Sequence, residues 1–310
     1  MNTLDKRPIA NLISVVIPCH NHERYLPQAI ESVLAQQVDR VEIIIVDDGS
    51  TDGSKAVANR FPGVTYIYQE NQGPSAARNT GLDHCRGEFV VFLDADDWLV
   101  EGALSTNARY LQENNHIAFV SGAYKDFYES RQQFLSFQTS VSDRHFVHLL
   151  ERNYISMIAA VMFRKEVVEH YRFDPSLRAC EDYDLYLRIA RNHLILHHQE
   201  FIAIYRFHEA NTSYNFREML EGSLKALQRQ KSYLKSSVER EAWIRGVAYW
   251  KEYYTKEALK SLFIALNKNS QNNKKGEEML LLEYDKHLYL KYLKAKAWLL
   301  IKSVLNRALK

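Results

Sequence analysis

Phe89-Val90-Val91-Phe92-Leu93-Asp94-Ala95-Asp96-Asp97 is an apolar run that ends in three carboxylates. The run is short and β-prone, which predicts a buried strand. Carboxylates just past the carboxyl end of such a strand stand where open α/β sheets hold their ligands. Three acids this close repel one another unless a positive group lies among them. A divalent cation carrying a phosphate is the natural one. The plainer alternative is a helix N-cap, with Asp96 or Asp97 starting a helix at Trp98.

Working outward, the first hundred residues alternate strand and helix signals. Ile13 to Ile17 predicts a strand stopped by Pro18. Leu26, Ile30, Val33 and Leu34 have helical spacing, and Pro27 suits a first turn. Strands are expected at Val41 to Val46 and Val64 to Tyr68, with helices to about Arg60 and from Pro74 to Cys85. Strands joined by helices of this length imply parallel pairing with right-handed crossovers. The strand ends read Pro18-Cys19-His20-Asn21, Asp47-Asp48-Gly49-Ser50, Asn71-Gln72-Gly73-Pro74 and Asp94 to Asp97. Any one of these could be turn chemistry. Two acidic groups on one sheet edge point to a ligand.

Later signals are looser. A helix to Asn114, strands at Ile117 to Val120 and Met157 to Phe163, a helix at Asp184 to Ala190 and an edge strand at Ile202 to Phe207 are expected. From Arg217 onward the pattern is helical, without proline. Ala258, Leu259, Leu262, Phe263 and Leu266 form one apolar face. Ala248 to Asn269 resembles a single tetratricopeptide-like helix pair, and one such unit is not an array.

The 310 residues carry a net charge of +2, which hides an asymmetry. Residues 1–216 hold 20 Lys+Arg against 28 Asp+Glu, a net of −8, while residues 217–310 hold 20 against 10, a net of +10. The acidic part is a poor nucleic-acid binder and would need a metal to hold a phosphate-bearing ligand. The basic part suits an anionic surface. No stretch of about eighteen apolar residues predicts a membrane span, and Met1 to Leu12 has no signal-peptide core. Cys19, Cys85 and Cys180 are too scattered for a zinc site or a disulfide framework and read as free thiols in a reducing compartment.

Six ordered motifs resemble the inverting, family-two glycosyltransferases of the GT-A fold. They are Val15 to Asn21, Ile45 to Asp52, Gly73 to Gly81 (Gly-Pro-Ser-Ala-Ala-Arg-Asn-Thr-Gly), Phe92 to Asp97, Glu181 to Leu185, and Tyr205 to Ser213. Each is weak alone; six in order are specific. The resemblance implies an α/β fold, with a Rossmann-like, mostly parallel sheet flanked by helices over residues 1–216. An all-α extension over 217–310 would follow.

It also implies roles. Asp47 or Asp48 would bind the base of a nucleotide-sugar, most often uracil, and Arg78 would support that site. Pro18, Asn21 and Arg206 lie in motifs that line the donor site. Asp94 would reach the ribose, and Asp96 would ligate Mn²⁺ or Mg²⁺ bridging the diphosphate. His208 would contact the diphosphate or the metal. Asp182, with Glu181, would be the catalytic base. The expected donor is a UDP-sugar, and the acceptor a glycan or a lipid-linked glycan. Each role has a plain structural alternative. Asp47-Asp48-Gly49 could be a turn, Arg78 a solvated helix residue, His208 a strand-end histidine, and the acids from Glu181 to Asp184 a helix first turn favoured by its dipole. His20, His22, His197 and His198 read as structural.

Lys286 to Lys310 contains seven cations and no acid. Leu293, Ala297, Leu300, Ile301, Val304 and Ala308 fall on one helical side, and Tyr292 and Trp298 suit a headgroup layer. This segment reads as an anchor to an anionic membrane from the cytoplasmic side. The alternatives are packing on its own domain and pairing with a second copy. Two other functions compete with sugar transfer. A nucleotidyltransferase would want a glycine-rich phosphate loop after the first strand, and Pro18 to Arg24 has no glycine. A non-catalytic binding protein on the same fold should lack the acidic run or the base, and this chain has both.

Overall fold

The computed structural model describes residues 8–208, 211–267 and 274–308. The chain divides into two compact units, residues 1–211 and 212–310. In unit 1 the order is β1 (Ile9–Cys19), α1 (Leu26–Leu34), β2 (Val41–Asp48), α2 (Ser54–Ala58), β3 (Thr65–Gln69), α3 (Pro74–His84) and β4 (Gly87–Phe92). Then come β5 (Trp98–Leu99), α4 (Ala103–Glu113), β6 (Ile117–Tyr128), β7 (Gln133–Phe137), α5 (His145–Glu151), β8 (Val161–Arg164), α6 (Lys165–Tyr171), α7 (Glu181–Ala190) and β9 (Leu194–Phe207).

The sheet runs β3-β2-β1-β4-β8-β6-β9-β5, with β7 paired to β6. β3, β2, β1 and β4 are parallel; the Val/Ile/Phe runs of β2, β1 and β4 are buried, as a covered parallel sheet requires, while β3 at the edge is half-exposed. β8 joins β4 and β6 antiparallel, and β6 pairs β9 in parallel. The chain leaves β1 for β2 on one side and returns through β4 on the other. The carboxyl ends of β1 and β4 therefore flank a topological switch point, where such sheets bind ligands. α1 buries Leu26, Ala29, Ile30 and Val33, one stripe at helical spacing. α3 lies so close to β1 that a Cβ at Gly81 would fall inside the Val16 side chain.

Several expectations change. No helix starts at Trp98; the chain pairs there with β9 as β5, and α4 begins only after Gly102. Asp97 is therefore no helix cap, because its carboxylate serves the neighbouring strand instead. Ile202 to Phe207 is not an edge strand, since it ends β9, between β6 and β5. β6 runs to Tyr128, past the expected Val120, and supplies the partner that makes this possible. Of Met157 to Phe163, only the part from Val161 is strand; Ile158–Ala160 is a 3₁₀ turn.

Unit 2 comprises α8 (Phe216–Gln230), α9 (Ser237–Asn267), α10 (Lys275–Tyr284) and α11 (Lys286–Ala308). Asn215 caps α8 by accepting from the Glu218 N–H. α8, α10 and α11 all pack on α9, which buries Ala242, Trp250, Tyr254, Ala258 and Leu262. The expected helix pair at Ala248 to Asn269 is instead part of one continuous α9, with Asn269 outside the described residues. No turn residue interrupts 248–267, so nothing stops the helix. No helix among the described residues is long and apolar enough to cross a membrane.

Candidate active site

The loops after β1 and β2 are zipped together by side chains. Asn21, at φ 58°, accepts from Thr51 N–H at 2.8 Å, and its own N–H donates to Ser50 Oγ at 2.9 Å. His22 N–H donates to Ser54 Oγ and Glu23 N–H to Asp52. Pro18 sits within β1 opposite Val46. Asn21 thus shapes the rim of the crevice, and His20 Nδ1 lies 2.8 Å from the Asp48 carbonyl.

Asp47 and Asp48 are 2% and 4% exposed, and both are engaged within the protein. Asp47 accepts from Ser50 N–H at 2.7 Å and from the Tyr66 hydroxyl at 2.6 Å. Asp48 accepts from Gln69, and from Gln72 N–H and Gly73 N–H at 2.9 and 2.8 Å. Asp48 therefore holds the chain that enters α3, the helix carrying Arg78.

Arg78 is the hub. Its two terminal nitrogens pair with Glu181 Oε1 at 2.5 Å and Asp94 Oδ1 at 2.6 Å. Phe173 lies 5.3 Å beneath the guanidinium. Arg78 is 4% exposed, so the solvated alternative fails. One cation thus ties the turn after β4 to the start of α7, which lies over a hundred residues beyond Arg78 itself. Burial raises the Asp94 carboxyl above its usual range, with Asp96 and Glu181 adding and Arg78 opposing.

Asp96 faces a different partner. His208 Nε2 stands 2.9 Å from Asp96 Oδ2, and the His208 ring stacks on Tyr25 at 4.8 Å. His22 joins this group, edge-on to His208 at 6.4 Å. Burial works against the charged form of Asp96. The His208 hydrogen bond and the charges of His22 and His208 outweigh it and hold the carboxyl below its usual range. Among the described residues no three His, Cys, Asp or Glu side chains form a ready metal cage. An Asp–His pair fits a cation that draws its remaining ligands from phosphate and water, as Mg²⁺-type sites do.

Arg206 was expected at the donor; the structure encloses it. It is 5% exposed, lies 4.5 Å over Trp98 and 4.9 Å over Tyr25, and donates to Gln28 and to the Asp96 carbonyl. It fixes the Asp96 turn from behind. Asp97 does the same through its backbone partner, accepting from Arg206 N–H at 2.8 Å. Its other oxygen is buried without a partner. Burial, with Asp96 and Asp94 nearby, pushes the Asp97 carboxyl well up, against the pull of Arg206.

Asp182 begins α7 beside Glu181. Glu181 is held by Arg78, so taking a proton would break that pair. Asp182 is half-buried, and burial and the charge of Glu181 push its carboxyl up to about 7, against the pull of Arg78. That is the range a general base needs near neutral pH.

Tyr25, Gln28, Trp98, Glu129 and Phe173 were not anticipated. Glu129 binds Arg24 and Tyr25 from a 3₁₀ turn more than a hundred residues away, and no local signal marks it. His22 was read as a plain loop residue, and its place two residues beyond His20 was the available clue. His197 and His198 are structural: His197 contacts Ser121 and the Thr139 carbonyl, and His198 contacts Asn107. The three cysteines are buried and form no disulfide, and burial pushes Cys19 to about 11 and Cys85 to about 12. Glu209 and Ala210 of the sixth motif lie outside the described residues.

Known proteins agree with this architecture. A solved structure of S. aureus TarS residues 1–349 matches with a TM-score of 0.60 at 17% identity, over 91% of this chain and 88% of that one. The same protein solved with UDP-GlcNAc gives 0.57 at 15%, over 92% of each chain. The mannosyltransferase PcManGT from Pyrobaculum calidifontis, solved with GDP-Man and Mn²⁺, gives 0.59 at 17%, over 97% and 87%. At these identities the likeness shows the shared GT-A fold. An uncharacterized glycosyltransferase of Haemophilus influenzae is 33% identical over 181 residues, 57% of this chain and 70% of that protein. Glycosyltransferase GlyA of Streptococcus pneumoniae is 34% identical over 179 residues, 52% of this chain, and the match spans only 26% of that longer protein. The model of the family described as glycosyl transferase family 2 matches residues 14–172. The chain belongs to glycosyl transferase family 2.

Proposed function

We propose that the protein transfers a sugar, with inversion, from a nucleotide diphosphate-sugar to a hydroxyl of a glycan or lipid-linked acceptor. The observation that carries this reading is Arg78 bound at once to Asp94 and Glu181. It joins the acidic turn suited to a diphosphate to the helix end that presents Asp182. In the reaction Asp182 takes the proton of the acceptor hydroxyl as its oxygen attacks the anomeric carbon. The bond from that carbon to the diphosphate oxygen breaks, and the nucleotide diphosphate leaves from the opposite face. Glu181 is the positioning partner of Asp182 through Arg78.

A Mn²⁺ or Mg²⁺ ion held by Asp96 and His208, with Asp94 next to them, would act as a Lewis acid on the departing diphosphate. Pro18, Asn21, Asp47 and Asp48 form the nucleotide side of the crevice, and a UDP-sugar is the donor we assign. UDP-GlcNAc in TarS and GDP-Man with Mn²⁺ in PcManGT support a nucleotide-sugar and metal of this kind. Buried thiols outside any disulfide fit a reducing cytoplasm. We place the enzyme there, at the inner face of the cell membrane where lipid-linked acceptors stand, and we assign residues 1–216 to catalysis and 217–310 to attachment.

The test is a screen of nucleotide-sugars for hydrolysis or transfer, with and without Mn²⁺. One donor should be turned over, with loss in Asp182→Asn and Asp96→Ala. Metal-independent nucleotide binding that Asp96→Ala leaves unchanged would overturn the reading.

A further inference from the structure

α11 has two unlike faces. The inner one is fixed. Tyr292 is 3% exposed and donates to Glu278 Oε1 at 2.6 Å, and Lys296 Nζ pairs with the same oxygen at 2.7 Å. Tyr292 is therefore not the headgroup residue that the sequence pattern suggested. The outer face carries Leu290, Leu293, Trp298 and Ile301 at 55%, 36%, 60% and 60% exposure, and Ala297 is exposed beside them. At helical pitch Leu290, Leu293, Ala297 and Ile301 fall in a stripe roughly 80° wide. Lys286, Lys291 and Lys294 stand exposed within or beside it. The side chains of residues 300 and 302–308 lie outside the description.

An apolar stripe left outward while the same helix packs on its other side calls for a cover. We propose that the outer face of α11 lies on an anionic lipid bilayer. Leu290, Leu293 and Ile301 enter the acyl boundary, Trp298 sits at headgroup depth, and the lysine stems run along the apolar surface to lipid phosphates. Charge complementarity selects this occupant over a second copy. A self-complementary pairing would set the lysines of one α11 near those of the other, and residues 286–310 contain no acid to answer them. The helix, about 34 Å long by its pitch, is long enough to lie in the interface plane.

This deepens the inner-membrane reading above and rests on it only for which membrane is meant. Vesicle binding needs neither donor nor metal, so its failure leaves the transfer reaction standing. The experiment is sedimentation of the full chain with phosphatidylcholine vesicles, neutral or containing about 30% phosphatidylglycerol. The expected result is binding to the anionic vesicles alone, weakened by added salt. Lys291→Ala and Lys294→Ala should each cost about fivefold in partitioning. Leu293→Glu with Ile301→Glu should abolish binding, with far-UV circular dichroism and donor hydrolysis unchanged. A blue shift of fluorescence on binding, lost in Trp298→Phe, would place that ring. No binding, equal binding to neutral vesicles, or a concentration-dependent dimer broken by Leu293→Glu would each overturn the proposal.

Discussion

The two units solve opposite problems. Among the described residues six large hydrophobic side chains stand exposed up to residue 211, and thirteen from residue 212 onward, although unit 2 is about half as long. Unit 1 places its polar contacts across long stretches of chain, as in Arg78 with Glu181, His208 with Asp96 and Arg206 with Gln28. Unit 2 pairs charges mostly within a helical turn, as in Arg217 with Glu221, Lys256 with Glu252 and Lys260 with Glu257. A site must hold unlike charges still in a dry place, which only contacts from several directions can do. A surface that attaches to something else needs a rigid helix and an outward apolar face.

The comparison can be broken most sharply at Asp182. Asp182→Asn should lower the rate by roughly 10²–10⁴ while the melting temperature holds. The wild-type rate should also climb as pH rises toward about 7 and then level, because the base must lose its proton. A wild-type profile without that limb would remove Asp182 from the chemistry.

Arg78→Ala should act on fold and rate together. It leaves buried Glu181 and half-buried Asp94 without their cation, a loss of roughly 3–5 kcal/mol in denaturant unfolding. By contrast Lys256→Ala, at an exposed pair in unit 2, should change stability by less than about 1 kcal/mol. Similar losses at both positions would erase the difference between the units.

Arg206→Ala should weaken the proposed Mn²⁺-dependent UDP binding by roughly 10–100-fold, since Arg206 holds the Asp96 carbonyl from behind. Titration calorimetry would read this, and unchanged binding would show that the aromatic enclosure of Arg206 serves folding alone.

A further effect concerns acid. Burial holds His145 and His198 neutral, with their pKa values lowered to about 4. Below about 6.5 the unfolded chain takes protons that the folded one refuses, so stability should fall between that pH and 4. His198→Asn should flatten part of the slope; a stability unchanged over that window would contradict it.

The parallel half of the sheet was legible because its strands are continuous apolar runs and its crossover helices carry stripes of fixed period. Asp94, Asp96, Arg78, Asp182 and His208 were singled out by the ordered motifs that carry them, four of them at element ends and Arg78 within α3. What the residues touch was not. Asp97 looked like a helix cap because local chemistry favours that, and pairing of Trp98 with Ile204 overrode it. Arg206 was expected at the donor, and the rings of Trp98 and Tyr25, distant in the chain, enclose it instead. Glu129 carries no periodicity at all. β7, α5 and α6 are short, and their patterns are too brief to outweigh tertiary context. In α11 apolar residues occupy both sides, so a one-sided reading of Tyr292 could not separate the face that packs from the face that is left over.

Gly81 has no chemistry, yet it sets the height of the floor on which Arg78 stands. A single methyl there would collide with Val16 and lift α3 away from β1. Arg78 would ride with it, away from two partners held at 2.5 and 2.6 Å. In a mutational scan Gly81→Ala would thus pass for a lesion in the chemistry, though no reacting group had changed. The tuning of such a centre can be inherited through a residue that never meets the substrate.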